Sequence, residues 1–119
     1  MGVAVRDNSS RPLFYIEWEE TMPKVQPLSA AEIESQLSSA PGWTVVDGKL
    51  HREYKFKDFV AAFGFMTQVA LLAQAANHHP LWSNVYNRVT IDLVTNDAGG
   101  ALSQRDFDLA RAINRLAGS

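Results

Sequence analysis

From Leu28 onward the apolar positions recur with periods that separate helical from extended segments. Ser29-Ala30-Ala31-Glu32 has the form of a capping box flanked by a hydrophobic staple, Leu28 and Ile33, and predicts a helix over residues 30–39. Pro41-Gly42 ends it. Two short apolar runs flank Asp47-Gly48, a dipeptide suited to a two-residue hairpin, and predict strands near 43–47 and 49–56. Phe59, Ala62, Phe63, Met66, Val69, Ala70 and Ala73 then recur at three- and four-residue spacing, which predicts one buried face of a long helix starting near Asp58. A proline pushes the residue before it out of helical geometry, so Pro80 leaves His78 and His79 at or just past the end of that helix. Residues 82–86 and 89–96 predict two further strands with a tight turn at Asn87-Arg88. Val89, Ile91 and Leu93 fall on one face, and Thr90, Asp92, Val94 and Asn96 on the other. After Gly99-Gly100, Ser103 is placed to cap a last helix with Asp106 three residues on and an apolar stripe of Leu109, Ala112, Ile113 and Leu116.

This order, αββαββα, predicts the α+β class: two hairpins joined in one four-stranded antiparallel sheet, with three helices on one face. The chain has 119 residues, 46% of them hydrophobic, which suits one domain with one core. We place that domain at residues 28–119. Residues 1–27 show no sustained period and read as a leader, either flexible or a docking arm. Asn8-Ser9-Ser10-Arg11-Pro12 favours the first reading, and the cluster Phe14, Tyr15, Ile16 and Trp18, awkward in water, favours docking on the domain or on a neighbouring subunit.

Charge narrows the function classes. Eleven Lys and Arg against thirteen Asp and Glu give a net charge of -2 with no basic run, so direct nucleic-acid binding is not expected. No apolar stretch is expected to span a membrane and no secretion signal opens the chain, so the expected location is cytoplasmic. The chain has no Cys, which removes disulfides, thiolate nucleophiles and most zinc sites.

The adjacent histidines are the candidate chemistry. A helix C-terminus carries partial negative charge, which favours an imidazolium and makes a proton donor near neutral pH. The plainer alternative is that the pair only caps the last carbonyls of its helix. A metal site is disfavoured because the third histidine, His51, lies in the other hairpin. A Ser-His-Asp hydrolase lacks a suitably placed serine.

The run from Lys57-Asp58-Phe59 through Ala61-Ala62-Phe63-Gly64-Phe65-Met66-Thr67, His78-His79-Pro80 and Trp82 to Asn84-Val85-Tyr86-Asn87-Arg88-Val89 closely resembles the pterin-4a-carbinolamine dehydratases, as does the spacing to Asp106. The likeness extends from about Leu28 to Leu116. It implies a four-stranded sheet with three helices, in agreement with the order above. It also implies dehydration of 4a-hydroxytetrahydropterin to quinonoid dihydropterin, the recycling step of tetrahydrobiopterin-type cofactors, with the pterin as substrate and neither metal nor other cofactor. By position, His78 would be the general acid, His79 would chiefly bind the ring, and Pro80 and Trp82 would shape the pocket. Trp82 reads equally as core, Tyr86 as a motif position more suited to packing, and Asp106 as a helix-start residue that also closes the family pattern. Family members form dimers or tetramers through a sheet edge and the long helix, which implies a homodimer or homotetramer here.

Two positions depart from the pattern. Where the family usually has a third histidine, ten residues after Tyr86, this chain has Asn96, and where an ionisable residue is common, four before His78, it has Gln74. Both amides could still contact substrate, but neither delivers a proton at neutral pH. Ala101 resembles a one-residue insertion beside that loop. The expectation is a dehydratase that leans on His78 and favours one 4a epimer. The alternative is a catalytically weakened pterin-binding or protein-dimerisation module, since animal members of the family also partner a homeodomain transcription factor.

Overall fold

The computed structural model describes residues 25–118, so the expectations for most of the leader lie outside the described residues. Helix α1 spans Ala30–Leu37; strands β1 (Thr44–Val46) and β2 (Lys49–Lys55) form a hairpin; helix α2 spans Phe59–Ala76. A second hairpin, β3 (Leu81–Val85) and β4 (Arg88–Leu93), is followed by a 3-10 turn at Asn96–Ala98 and helix α3 (Gln104–Ala117). The strands pair antiparallel in the order β1-β2-β4-β3, so the two hairpins join through β2 and β4, with Arg52 opposite Ile91. The fold is therefore α+β, three helices and one four-stranded antiparallel sheet.

Period-two alternation fixes which strand residues face the helices. Leu50 and Tyr54 of β2 and Val89, Ile91 and Leu93 of β4 are buried, and Phe107, Leu109, Ala110 and Ile113 of α3 meet them in one core. Each fully buried side chain of Val, Leu, Ile or Phe size contributes about 1.5–3 kcal/mol of transfer free energy. Leu28 and Ile33 pack on the rim of that core. The Leu28 N–H donates to the Leu102 carbonyl at 2.9 Å, tying the start of the domain to the loop before α3.

Several boundaries move. Helix α1 stops at Leu37 rather than Ser39, because the hydroxyls of Ser38 and Ser39 donate to the carbonyls of Ser35 and Gln36 and tight turns take over. The first hairpin turns as expected, with Asp47 and Gly48 both at positive φ (52° and 76°). The second turns at Tyr86-Asn87, one residue earlier than predicted, since Arg88 already pairs with Val85. Tyr86 adopts φ 52° there and is exposed, so its ring does not pack in the core. Strand β4 ends at Leu93, which removes Asn96 from the sheet. Thr95 instead closes a loop: its N–H donates to the Ala101 carbonyl at 3.0 Å, and its carbonyl accepts from the N–H groups of Ala98 and Gly100, both at 3.1 Å.

The largest correction concerns α2. Its buried stripe is Ala62, Phe65, Val69 and Ala73, with Met66 and Leu72 beside it, whereas Phe59, Phe63 and Ala70 are exposed. Phe65 wins the inward position because its ring meets Tyr54 and Phe56 at centroid distances of 4.9 and 4.8 Å. Phe59 and Phe63 stack on each other at 5.9 Å on the outer side. This 18-residue helix is also long and apolar enough, by length and composition, to cross a membrane, contrary to the expectation above. Here one of its faces packs in the core.

Candidate active site

Helix α2 ends in a left-handed turn. Asn77 takes φ 51° and ψ 44°, and its N–H donates to the carbonyls of Ala73 and Gln74. Asn tolerates this conformation better than most residues with a side chain. The His78 N–H then donates back to the Ala73 carbonyl at 3.0 Å, which brings the His78 side chain inward, 7% exposed, and leaves His79 outside.

The inward imidazole meets α3. His78 Nε2 lies 2.6 Å from Oδ1 of Asp106, whose side chain is fully buried. The other oxygen, Oδ2, accepts from the Thr95 hydroxyl at 2.7 Å and from the Ser103 N–H at 2.9 Å. Since the one Thr95 hydroxyl proton is directed at Asp106, the Ser103 hydroxyl, 2.6 Å away, donates to Thr95 Oγ1. Asp106 thus has the helix-start role expected of it, completing the capping box of α3, and in addition it holds His78, a role the sequence did not show.

A carboxylate only accepts, so the Nε2 proton of His78 points at Asp106 and Nδ1 is the ring atom left for a ligand. A cavity of about 170 Å³ is lined by His78, His79, Thr95, Asn96, Asp97 and Arg105. His79 Nε2 donates to Oε1 of Gln74 at 3.0 Å, so the last turn of α2 orients the second imidazole. Arg105 reaches Oδ2 of Asp97 at 3.4 Å across the mouth. The arrangement can offer a proton at Nδ1 of His78, hydrogen bonds from His79 and the Asn96 amide, and a charge pair that a polar ring could displace.

The structure thus brings together His78, His79, Asn96 and Asp106, with Gln74 one hydrogen bond behind. It places Trp82 on the core side of β3, packed against the hydrophobic core, and neither Trp82 nor Pro80 lines this cavity. Tyr86 is at the far hairpin tip. His51 forms a separate pair with Asp92 at 2.8 Å across β2 and β4. Among the described residues no group of three or more His, Cys, Asp or Glu side chains is gathered to hold a metal ion. Sequence reasoning missed Asn77, Thr95, Asp97 and Arg105 as site residues. For Thr95 a signal existed: the alternation Val89, Ile91, Leu93 continues to position 95 and marks it as an inward-facing polar residue.

A sequence model of the family described as pterin 4 alpha carbinolamine dehydratase matches residues 26–116. A protein of Solibacter usitatus, provisionally named pterin-4-alpha-carbinolamine dehydratase, is 62% identical over 90 residues, 76% of this chain and 94% of its own. A Prochlorococcus marinus protein with the same provisional name is 57% identical over 89 residues, 75% of this chain and 92% of its own. The crystal structure of a transcriptional coactivator/pterin dehydratase from Brucella melitensis is similar with a TM-score of 0.74 at 42% identity, covering 78% of this chain and 100% of that one. Matched over most of its length by the family model and by relatives of more than half identity, this chain belongs to the pterin 4 alpha carbinolamine dehydratase family.

Proposed function

We propose that this chain dehydrates 4a-hydroxytetrahydropterin to quinonoid dihydropterin, with His78 as the general acid acting through Nδ1. The observation that carries the reading is the 2.6 Å contact of His78 Nε2 with the fully buried Asp106, beside a cavity that His78 lines. As imidazolium, His78 gives its Nδ1 proton to the 4a oxygen; the C4a–O bond breaks and water leaves. The C4a=N5 bond forms, and the proton that N5 then releases can return to Nδ1, so no net charge is consumed. His79, held by Gln74, binds the ring, and Asn96 offers an amide hydrogen bond where the resemblance leads one to expect a third histidine.

With one acid in place of two, turnover is biased towards one 4a epimer. Each epimer is assayed separately against the uncatalysed background. The wild type favours one of them, His78→Ala loses about 10²- to 10⁴-fold on that epimer, and Asn96→His gains on the slower one. Equal rates for both epimers, or an unimpaired His78→Ala, would sink the proposal.

A second reading is supported by the Brucella melitensis protein, which is described as a transcriptional coactivator as well as a pterin dehydratase. On that reading the present chain binds a pterin or a protein without efficient turnover. Pterin binding with carbinolamine loss no faster than background selects it. Self-association into a dimer or tetramer is proposed on either reading, supported by the exposed apolar residues Val60, Phe63 and Leu71 of α2 and Leu81 and Val85 of edge strand β3.

A further inference from the structure

We infer that Thr95 is a positioning residue for His78: its hydroxyl, aligned by that of Ser103, pins the carboxylate of Asp106 so that the imidazole keeps Nδ1 turned to the substrate. Thr95, Ser103 and Asp106 are each 1% exposed or less. They form one buried chain of short bonds that ends on the histidine: Ser103 Oγ to Thr95 Oγ1 at 2.6 Å, Thr95 Oγ1 to Asp106 Oδ2 at 2.7 Å, Asp106 Oδ1 to His78 Nε2 at 2.6 Å. A carboxyl group turns easily about its last torsion, whose energy well is broad and roughly twofold. Without Thr95, Oδ2 would keep only the Ser103 N–H, a bond that caps α3 and does little to stop that rotation. Thr95 is itself anchored at both backbone ends by the closed loop to Ala98, Gly100 and Ala101. Its hydroxyl is therefore fixed relative to α3, and through Asp106 it fixes a ring carried by a different element.

The charged or titratable groups around His78 are Asp106, Arg105 and Asp108 from α3, Asp97 from the 3-10 turn and His79 beside it, while α2 presents Leu72 and Ala76. Thr95→Val changes none of these charges and keeps the shape of the side chain. With one donor fewer, the carboxylate is free to turn, and the proton of the neutral imidazole is no longer held on Nε2 alone.

The inference rests on the dehydratase reading for its kinetic arm only. Wild type, Thr95→Val and Thr95→Ser are compared by nitrogen-15 NMR of the imidazoles across pH and by steady-state dehydration kinetics. In Thr95→Val the neutral His78 ring loses its single Nε2-protonated tautomer and shows an Nδ1-protonated population, and kcat falls about tenfold with KM nearly unchanged; Thr95→Ser behaves as wild type in both. A folded Thr95→Val with an unaltered tautomer overturns the inference, as does a Thr95→Ser as impaired as the valine variant. Should Thr95→Val fail to fold, Ser103→Ala, which removes the donor that orients Thr95, takes its place: a mixed His78 tautomer supports the inference and an unchanged one overturns it. If the wild type shows no dehydration the dehydratase reading falls, while the tautomer of His78 still decides the role of Thr95.

Discussion

The Asn114 side-chain oxygen accepts from the Trp43 indole at 2.9 Å, from Arg52 Nη1 at 2.6 Å and from the Tyr54 hydroxyl, while its amide donates to the Pro41 carbonyl at 2.9 Å. Such a network stabilises only when every member is satisfied. It also explains Gly42, at φ 87°, where an added Cβ would overlap the Arg52 guanidinium. Burial raises the pKa of Tyr54 above its ordinary value; the Arg52 charge and hydrogen bonds with Trp43 and Arg52 oppose that rise without cancelling it. Below about pH 10 the phenol is neutral in folded and unfolded chains alike; above it the unfolded chain ionises first, the folded one holds more protons, and stability falls. Urea titrations from about pH 9 to about pH 11 should therefore show a loss of stability that is shallower in Tyr54→Phe. None of this was legible in the sequence, where Asn114 stands at least 60 positions from Trp43, Arg52 and Tyr54 and carries no periodic signal. His78 and His79 were legible because adjacent imidazoles before a proline are chemically conspicuous on their own.

At the scale of elements, what depends on near neighbours could be read and what depends on packing could not. The capping boxes of α1 and α3 close within three residues, so their spacing announces both helix starts. Helix α2 is capped by Asp58, whose Oδ1 accepts from the Ala61 N–H at 2.8 Å. Asp58→Ala should lower stability by about 1 kcal/mol, read as a shift in denaturant midpoint with an unchanged slope. The expected inward face of α2 holds at Ala62, Met66, Val69 and Ala73 and fails at Phe59, Phe63 and Ala70, because Phe and Ala occupy so much of its circumference that two stripes fit the same spacing. Only the rings of Tyr54 and Phe56, on another element, decide for Phe65. The end of β4 was overrun for a similar reason: alternation continues through Thr95, but the closed loop turns the backbone before Asn96.

Taken whole, the described chain is one sheet with a core against its helices and an apolar helix flank left uncovered. Val60 is 78% exposed and Leu71 69%, on the same helix as the stacked Phe59 and Phe63. A patch of this kind marks an association surface in many proteins. Phe63→Glu combined with Leu71→Glu should shift sedimentation towards the monomer while leaving circular dichroism unchanged; equal masses for variant and wild type would count against the proposed assembly. The general architecture was readable from the order of elements, and the likeness to a known family supplied Asp106. The junction of α2, the 95–101 loop and α3 was not, because it exists only once the three are packed together. Asp106 stands 28 positions from the histidine it holds, on the final helix. On the proposed dehydratase reading, a chain whose last helix is not docked would carry an untethered imidazole, so turnover would report that the final helix has packed.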